Sequence, residues 1–154
     1  MLPQSFAYLT ILISFVGGYL YIRDTIRGIT KPNRVSWFFW AVAPLIGVYI
    51  SHKSGVSIPI LISTFMAGFI PALVVIASFF NKNSYWKTTR FDIICGILSL
   101  AAIIIWVTTK NPFISISFAI LGDLFAGIPT IIKSYKHSDS ENIFPYTAGI
   151  LNTI

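Results

Sequence analysis

The sequence predicts an all-α protein, a polytopic bundle of transmembrane helices. Two observations lead to this prediction. First, 55% of the 154 residues are hydrophobic and only 10% are charged, whereas soluble domains carry about a quarter charged residues. Second, long apolar runs alternate with short polar segments, and a helix needs about 20 apolar residues to cross a bilayer. We therefore expect at least five spanning helices in a single transmembrane domain, residues 1–154.

Five segments meet or approach the spanning length, and a sixth apolar run is incomplete. In chain order they are Ser5–Ile22, Val35–Ser51, Val56–Phe80, Phe91–Thr108, Pro112–Ile132 and the incomplete run Ile143–Ile154. The connections carry Pro, Asn, Ser and Lys, which are typical of turns. None of them is long enough to separate two domains.

The positions of the basic residues predict the orientation of the bundle. Nine of the eleven follow helices 1, 3 and 5, whereas Lys53 follows helix 2 and Lys110 follows helix 4. Positive residues near helix ends stay in the cytoplasm, so the amino terminus is expected outside a prokaryotic-type plasma membrane. This alternation indicates membrane orientation rather than nucleic-acid binding. The densest cluster, predicted to meet anionic lipid headgroups or to serve as an ordinary orientation signal, is Arg23, Arg27, Lys31 and Arg34.

A weak internal repeat relates the beginning of the chain to its end. Residues 9–44 laid over residues 118–153 give five identities, and a helix end, a basic loop and the next helix start also coincide. The identical pairs are Ile11 and Ile120, Leu12 and Leu121, Gly18 and Gly127, Ile22 and Ile131, and Asn33 and Asn142. The match predicts parallel repeats at about 5–80 and 112–154, joined by a linker helix at about 91–108. Such repeats are a known transporter architecture with the site at their interface.

The segment from Gly127 to Asn142, GIPTIIKSYKHSDSEN, carries a family resemblance. It resembles the PQ-loop signature of the SWEET and SemiSWEET sugar transporters, in which a Pro-Gln pair precedes a cytoplasmic loop containing Lys and Ser. The resemblance implies a three-plus-one-plus-three helix arrangement with the amino terminus outside, which agrees with the charges and the repeat. Thr130 stands where the family has Gln, and Leu20 and Tyr21 replace the Pro-Gln pair of the first repeat.

The resemblance also implies functional residues. Family members carry helix-breaking prolines that act as hinges, and Pro44, Pro129 and Pro145 are the candidates on helices 2, 5 and 6. Pocket asparagines bind the sugar in the family, which makes Asn152 a candidate. The family's seventh helix has no counterpart here. We therefore expect either a fragment or a fold completed by a partner, such as a second copy in a homo-oligomer.

Asp123 is the outstanding polar residue of the predicted spans. A carboxylate at the centre of a spanning helix costs at least about 2.5 kcal/mol, so it usually faces a cavity or a partner. Two roles follow for Asp123: contact with a solute or a proton, or a structural hydrogen bond to a helix such as the one bearing Ser14, its repeat equivalent. The candidate pathway residues are therefore Asp123, Asn152 and Ser14.

Several kinds of chemistry are not supported by the sequence. Cys95 is the single cysteine, so an intrachain disulfide or a zinc cluster of cysteines is excluded. His52 and His137 are predicted on opposite sides of the membrane, and the spacings of metal, nucleophile and phosphate motifs are missing. We therefore predict no metal, no cofactor, no catalytic residue and no enzymatic activity.

Three classes of function remain open at this point. The first is a PQ-loop or SWEET-like facilitator that moves a small neutral solute, such as a sugar, by alternating access. The second is a non-transporting protein of the same fold that acts as a receptor, a lipid-binding protein or a scaffold. The third, an intramembrane enzyme, needs a polar partner for Asp123 that the sequence does not name. The expected partners are the lipid bilayer and a small-molecule solute.

Overall fold

All regular structure in the described residues is helical. The computed structural model describes residues 5–83 and 86–152, with side chains described for residues 12–83, 86–147 and 149. The helices are α1 (Ser5–Ile26), α2 (Arg34–Lys53), α3 (Ile58–Ala77), α4 (Arg90–Thr108), α5 (Pro112–Lys136) and α6 (Phe144–Asn152). A single 3-10 turn, Ser138–Ser140, precedes α6.

Four of the described helices, α2 to α5, are long and apolar enough to cross a membrane. The first predicted span forms the 22-residue helix α1. Large apolar side chains cover the outside of the bundle: on α4, for example, Ile97 is 61% exposed and Ile104 is 53% exposed. Apolar surface of this extent requires a cover of lipid or protein. The fold is that of an integral, multi-pass membrane protein.

Local side-chain hydrogen bonds explain where three helices begin. Asn33 and Asn111 accept bonds from the first free backbone N–H groups of α2 and α5. Thr89 and Asp92 form a capping box at the start of α4, with the Asp92 carboxylate accepting from the Thr89 N–H at 2.6 Å. Such caps pair backbone donors that have no partner inside the helix.

Small residues mark the places where helices approach closely. Helix α1 packs on α3 and α6, whereas α2 packs on α3, α4 and α5. A Cβ on Gly68 of α3 would lie 2.9 Å from the carbonyl oxygen of Ala41 on α2. Helix α4 packs on α5, where the Ser99 hydroxyl donates to the carbonyl of Gly122 at 2.7 Å. Close backbone approach through small residues is the usual way that helices associate in a bilayer.

The ends of α1, α3 and α5 and the starts of α2, α4 and α6 meet at one end of the bundle, which we call the basic end. Nine of the eleven basic residues belong to this end. Hydrogen bonds join its segments across long stretches of chain: Lys31 N to Ser140 O, Asn81 Nδ2 to Ile26 O, Trp86 N to Pro32 O, Asn142 Nδ2 to Asp24 Oδ2, and Asn33 Nδ2 to Asp92 Oδ1. These bonds hold the six helix ends together.

Candidate functional site

A cavity of about 760 Å³ lies between α1, α2, α3, α5 and α6. Helix α4 contributes no lining residue and packs outside, on α2 and α5. The lining runs from the middle of the bundle, at Ser14 and Asp123, to the basic end, at Ser134 and Tyr146. A cavity of this size is within the range of small-molecule sites, about 300–1,000 Å³.

The residues predicted from the sequence fall in three places. Ser14, Asp123, Pro44 and Pro145 line the cavity, so four helices each supply one predicted residue. Pro129 is buried within α5 and is not among the lining residues, although Thr130, next to it, is. The side chain of Asn152 lies outside the described residues.

Asp123 lies in the middle of α5, on the side that faces the cavity. Residues 123, 127, 130, 131 and 134 follow helical spacing, and all of them except Gly127 line the cavity, while Gly127 contacts Trp40. The indole of Trp40 on α2 serves as a side-chain hydrogen-bond donor to the Asp123 carboxylate. Trp40 therefore joins the two halves of the chain at the only carboxylate among the described lining residues.

Four aromatic rings form a cluster between Asp123 and the basic end. The ring centroids of Trp37 and Trp40 are 5.5 Å apart, and Tyr146 lies 6.4 Å from each. Tyr21 packs on Trp37 at 4.7 Å. Trp37, Trp40 and Tyr146 line the cavity, whereas Tyr21 is fully buried behind them. The cavity therefore presents aromatic surface from α2 and α6.

Two of the lining residues carry buried polar atoms without a hydrogen-bond partner among the described groups: the indole nitrogen of Trp37 and the hydroxyl of Thr130. Their side chains belong to residues only 3% and 1% exposed. Most buried polar groups in proteins are hydrogen-bonded, so unpaired ones call for an explanation. Their position at one cavity is consistent with a site whose polar groups find partners in another state or with a ligand.

A buried network closes the cavity at the basic end. Lys133 on α5 forms an ion pair of 2.5 Å with Glu141, and Glu141 accepts hydrogen bonds of 2.8 Å from the hydroxyls of Tyr21 and Tyr146. We call Tyr21, Lys133, Glu141 and Tyr146 the Glu141 network. The Lys133 ammonium also donates to the carbonyl of Lys31. The network thereby links α1, the loop after it, α5 and α6 beneath the aromatic rings.

Sequence reasoning did not identify the Glu141 network. Tyr21 and Glu141 are 120 positions apart, so no local pattern joins them. One signal was present, because the repeat alignment places Tyr21 opposite Thr130 of the PQ-loop-like segment. The alignment indicated that Tyr21 and Thr130 occupy equivalent positions in the two repeats, but it did not indicate which side chains contact each other there.

The four residues of the predicted headgroup cluster have different surroundings. Arg23 pairs with Asp24 at 2.8 Å. Arg34 donates to the side chain and carbonyl of Ser78 at the end of α3, with its guanidinium 3.9 Å from the centre of the Phe79 ring. Arg27 and Lys31 are exposed. Arg27 and Lys31 are thus the members of the cluster best placed to meet headgroups.

Within the part of the chain that the structure describes, no three His, Cys, Asp or Glu residues are grouped so that they could hold a metal ion. Comparisons of the chain with protein-family models, with curated proteins and with solved structures gave no match. The assignment of function therefore depends on the geometry of the cavity.

Proposed function

We propose that the chain is a PQ-loop or SWEET-like facilitator that carries a small solute across the membrane by alternating access. The observation that carries this proposal is the cavity itself, which lies between the two halves of the chain and is closed at the basic end by the Glu141 network. A solute that enters such a cavity from the opposite end is held at mid-depth before it leaves. The sequence predicts a neutral solute, such as a sugar, for this route.

The contacts between the two halves support a repeat related by an axis along the bundle. Helix α1 packs on α6 and α2 packs on α5, which is the reciprocal pairing that two equivalent halves would make. The aligned residues Asn33 and Asn142 also make equivalent bonds. Each accepts from the backbone N–H two residues ahead, and each donates its amide N–H to an aspartate, Asp92 and Asp24 respectively.

Prolines on three helices line the cavity. Pro44 lies inside α2, Pro71 inside α3 and Pro145 in the first turn of α6. A proline inside a helix removes a backbone hydrogen bond and weakens the helix locally. Pro44 and Pro71 therefore supply bending points for α2 and α3 next to the cavity.

Opening the basic end requires the Glu141 network to separate. Tyr21 belongs to the first half, whereas Lys133, Glu141 and Tyr146 belong to the second, so the bond between Tyr21 and Glu141 crosses the interface. The bonds from Lys31 to Ser140 and from Asn142 to Asp24 cross it as well.

Solute counterflow in proteoliposomes tests the proposal. The longest natural reading frame is reconstituted, and saturable exchange of labelled monosaccharides, disaccharides and small amines is measured. Asp123→Asn is compared with Asp139→Asn, which alters an exposed aspartate outside the cavity. We expect flux in the parent and in Asp139→Asn, and reduced flux in Asp123→Asn. Folded protein that exchanges none of these solutes would refute the proposal.

A non-transporting role is the second candidate, because most residues that line the cavity are apolar or aromatic. Such a lining suits a lipid chain or another apolar ligand as well as a transported solute. A cavity that retains a lipid through purification, in protein that shows no counterflow, would favour the receptor or lipid-binding class. The two candidates therefore separate in the same reconstituted preparation.

A further inference from the structure

Asp123 lines the cavity without a basic side chain to balance its charge. None of the described lining residues is Lys, Arg or His. The segments whose side chains are not described contain none of these residues either, so all thirteen basic and His side chains lie within the described part. The two ion pairs among the described residues involve Asp24 and Glu141. The side chains of this protein therefore offer Asp123 hydrogen bonds but no counter-ion.

The energetics of a carboxylate at this depth make the missing counter-ion informative. A carboxylate in the middle of a spanning helix is costly unless it pairs with a cation, takes up a proton or is hydrated. Asp123 is exposed to the cavity, so it can be hydrated when the cavity is empty, and a ligand that displaces this water must replace its stabilisation. Asp123 is the twelfth residue of the 25-residue helix α5, so both helix ends are more than two turns away. A cationic ligand in the cavity would supply the charge that the protein lacks.

The surroundings of Asp123 suit an organic cation. Trp40 donates to its carboxylate, and the rings of Trp37 and Tyr146 line the same cavity with centroids 6.4 Å apart. Aromatic faces attract ammonium groups, with Trp the strongest, and the attraction grows when the contact is desolvated. A carboxylate bonded to Trp40, in a cavity that Trp37 and Tyr146 also line, offers charge pairing together with cation–π contact.

The described lining leaves little for a polyol to bond: its buried polar atoms without a partner are the Trp37 indole nitrogen and the Thr130 hydroxyl, and other polar groups are already bonded. The Tyr146 hydroxyl is bonded to Glu141, the Ser134 hydroxyl to the carbonyl of Thr130, and the Trp40 indole to Asp123. A sugar carries several hydroxyls, and each one that is buried without a hydrogen-bond partner weakens binding. An alkylated ammonium group asks for few hydrogen bonds, and its methyl groups pack on rings.

We propose that this cavity binds a small organic cation, an amine or a quaternary ammonium compound, with its charged group at Asp123 and its alkyl groups against Trp40, Trp37 and Tyr146. The inference rests on the cavity of the proposed function, and it replaces the neutral solute expected from the sequence with a cationic one. It does not require transport, because binding without transport would follow from the same contacts.

The test is equilibrium binding of choline and of its uncharged isostere 3,3-dimethylbutan-1-ol to the full chain in lipid nanodiscs, measured by titration calorimetry. We expect choline to bind at least about tenfold more tightly than the isostere, which corresponds to about 1.4 kcal/mol. Asp123→Asn should lower the affinity for choline at least about tenfold and leave the affinity for the isostere unchanged. The control Asp139→Asn should leave both affinities unchanged. Trp40→Phe, which keeps a ring, should weaken choline less than Trp40→Leu.

Three outcomes would overturn the inference: equal affinities of choline and the isostere, choline binding that survives Asp123→Asn, or no binding of choline to folded protein. Choline cannot take up or release a proton at its nitrogen, so its binding also separates a cation site from a proton site. The proposed function fails separately. Choline binding without counterflow of any solute would support the cation site and refute transport. Sugar counterflow without choline binding would support transport and refute the cation site.

Discussion

Lys133 and Glu141 form a buried ion pair of 2.5 Å, with side chains only 2% and 6% exposed. The other carboxylate oxygen of Glu141 accepts hydrogen bonds from the hydroxyls of Tyr21 and Tyr146, so both carboxylate oxygens have partners. Removing one member of a buried pair leaves the other charge uncompensated, which typically costs about 3–5 kcal/mol. Loss of either partner alone is therefore expected to destabilise the basic end.

Glu141→Gln is expected to lower the free energy of unfolding by about 3–5 kcal/mol, because it leaves the Lys133 ammonium buried without an anion. Reversible unfolding in mixed micelles measures the loss. Asp139→Asn, an exposed site two residues away, should change the value by less than about 0.5 kcal/mol. Similar losses in the two variants would show that the ion pair is not the cause.

Asn33→Ala is expected to destabilise the protein more than Asn111→Ala. Both residues cap a helix, which contributes about 1 kcal/mol. Asn33 is also 1% exposed and donates to the Asp92 carboxylate at 3.1 Å, and bonds to charged groups contribute about 1.5–3 kcal/mol. Thermal unfolding of the two variants measures the difference. Equal shifts would assign the whole effect to the caps.

Gly68→Ala is expected to weaken the packing of α3 on α2, since the new methyl group would meet the Ala41 carbonyl, a backbone atom that cannot turn away. Overpacking of this kind costs about 1–3 kcal/mol. Gly47→Ala is the matched control, because a Cβ there would lie 3.8 Å from its nearest neighbour, Thr64, and Ala favours the helix. In thermal unfolding measured in detergent, Gly47→Ala should have a melting temperature equal to or above that of the parent protein. Gly68→Ala should have a lower one.

The basic end is expected to face the cytoplasm, because basic loops are retained there. In a Cys95→Ala background, Lys53→Cys and Lys82→Cys place exposed thiols at opposite ends of the bundle. A membrane-impermeant maleimide added to intact cells should label Lys53→Cys at once and Lys82→Cys only after permeabilisation. The reverse pattern would place the amino terminus inside.

The sequence predicted the elements well, because apolar length is a local signal. The span predicted from Phe91 begins at Arg90, since Thr89 and Asp92 cap the helix one residue earlier. The predicted end of the fifth span, Ile132, differs more: α5 continues to Lys136 because the ion pair with Glu141 allows Lys133 to be buried inside the helix. A single-sequence hydropathy pattern assigns such a lysine to a loop.

The candidate site was predicted in part. Asp123 was identified because a charge inside an apolar run stands out, and its repeat equivalent Ser14 lines the same cavity. Trp40 was not identified as the partner of Asp123, since the two residues are 83 positions apart and Trp40 reads as an interfacial aromatic. Pairings of this kind depend on how α2 crosses α5, which no local pattern records.

The unequal lengths of the helices have a consequence for the depth of the protein in its membrane. Helix α4 has 19 residues, about 28 Å at 1.5 Å per residue, which matches a hydrocarbon thickness of about 30 Å. Helix α5 has 25 residues, and the six additional ones extend about 9 Å further. Since the two helices are joined by a short turn at the opposite end, this extension emerges at the basic end. We expect the part of α5 that carries Lys133 to lie at the headgroup level, so bilayer thickness would act directly on the Glu141 network, with a thicker membrane drawing it toward hydrocarbon.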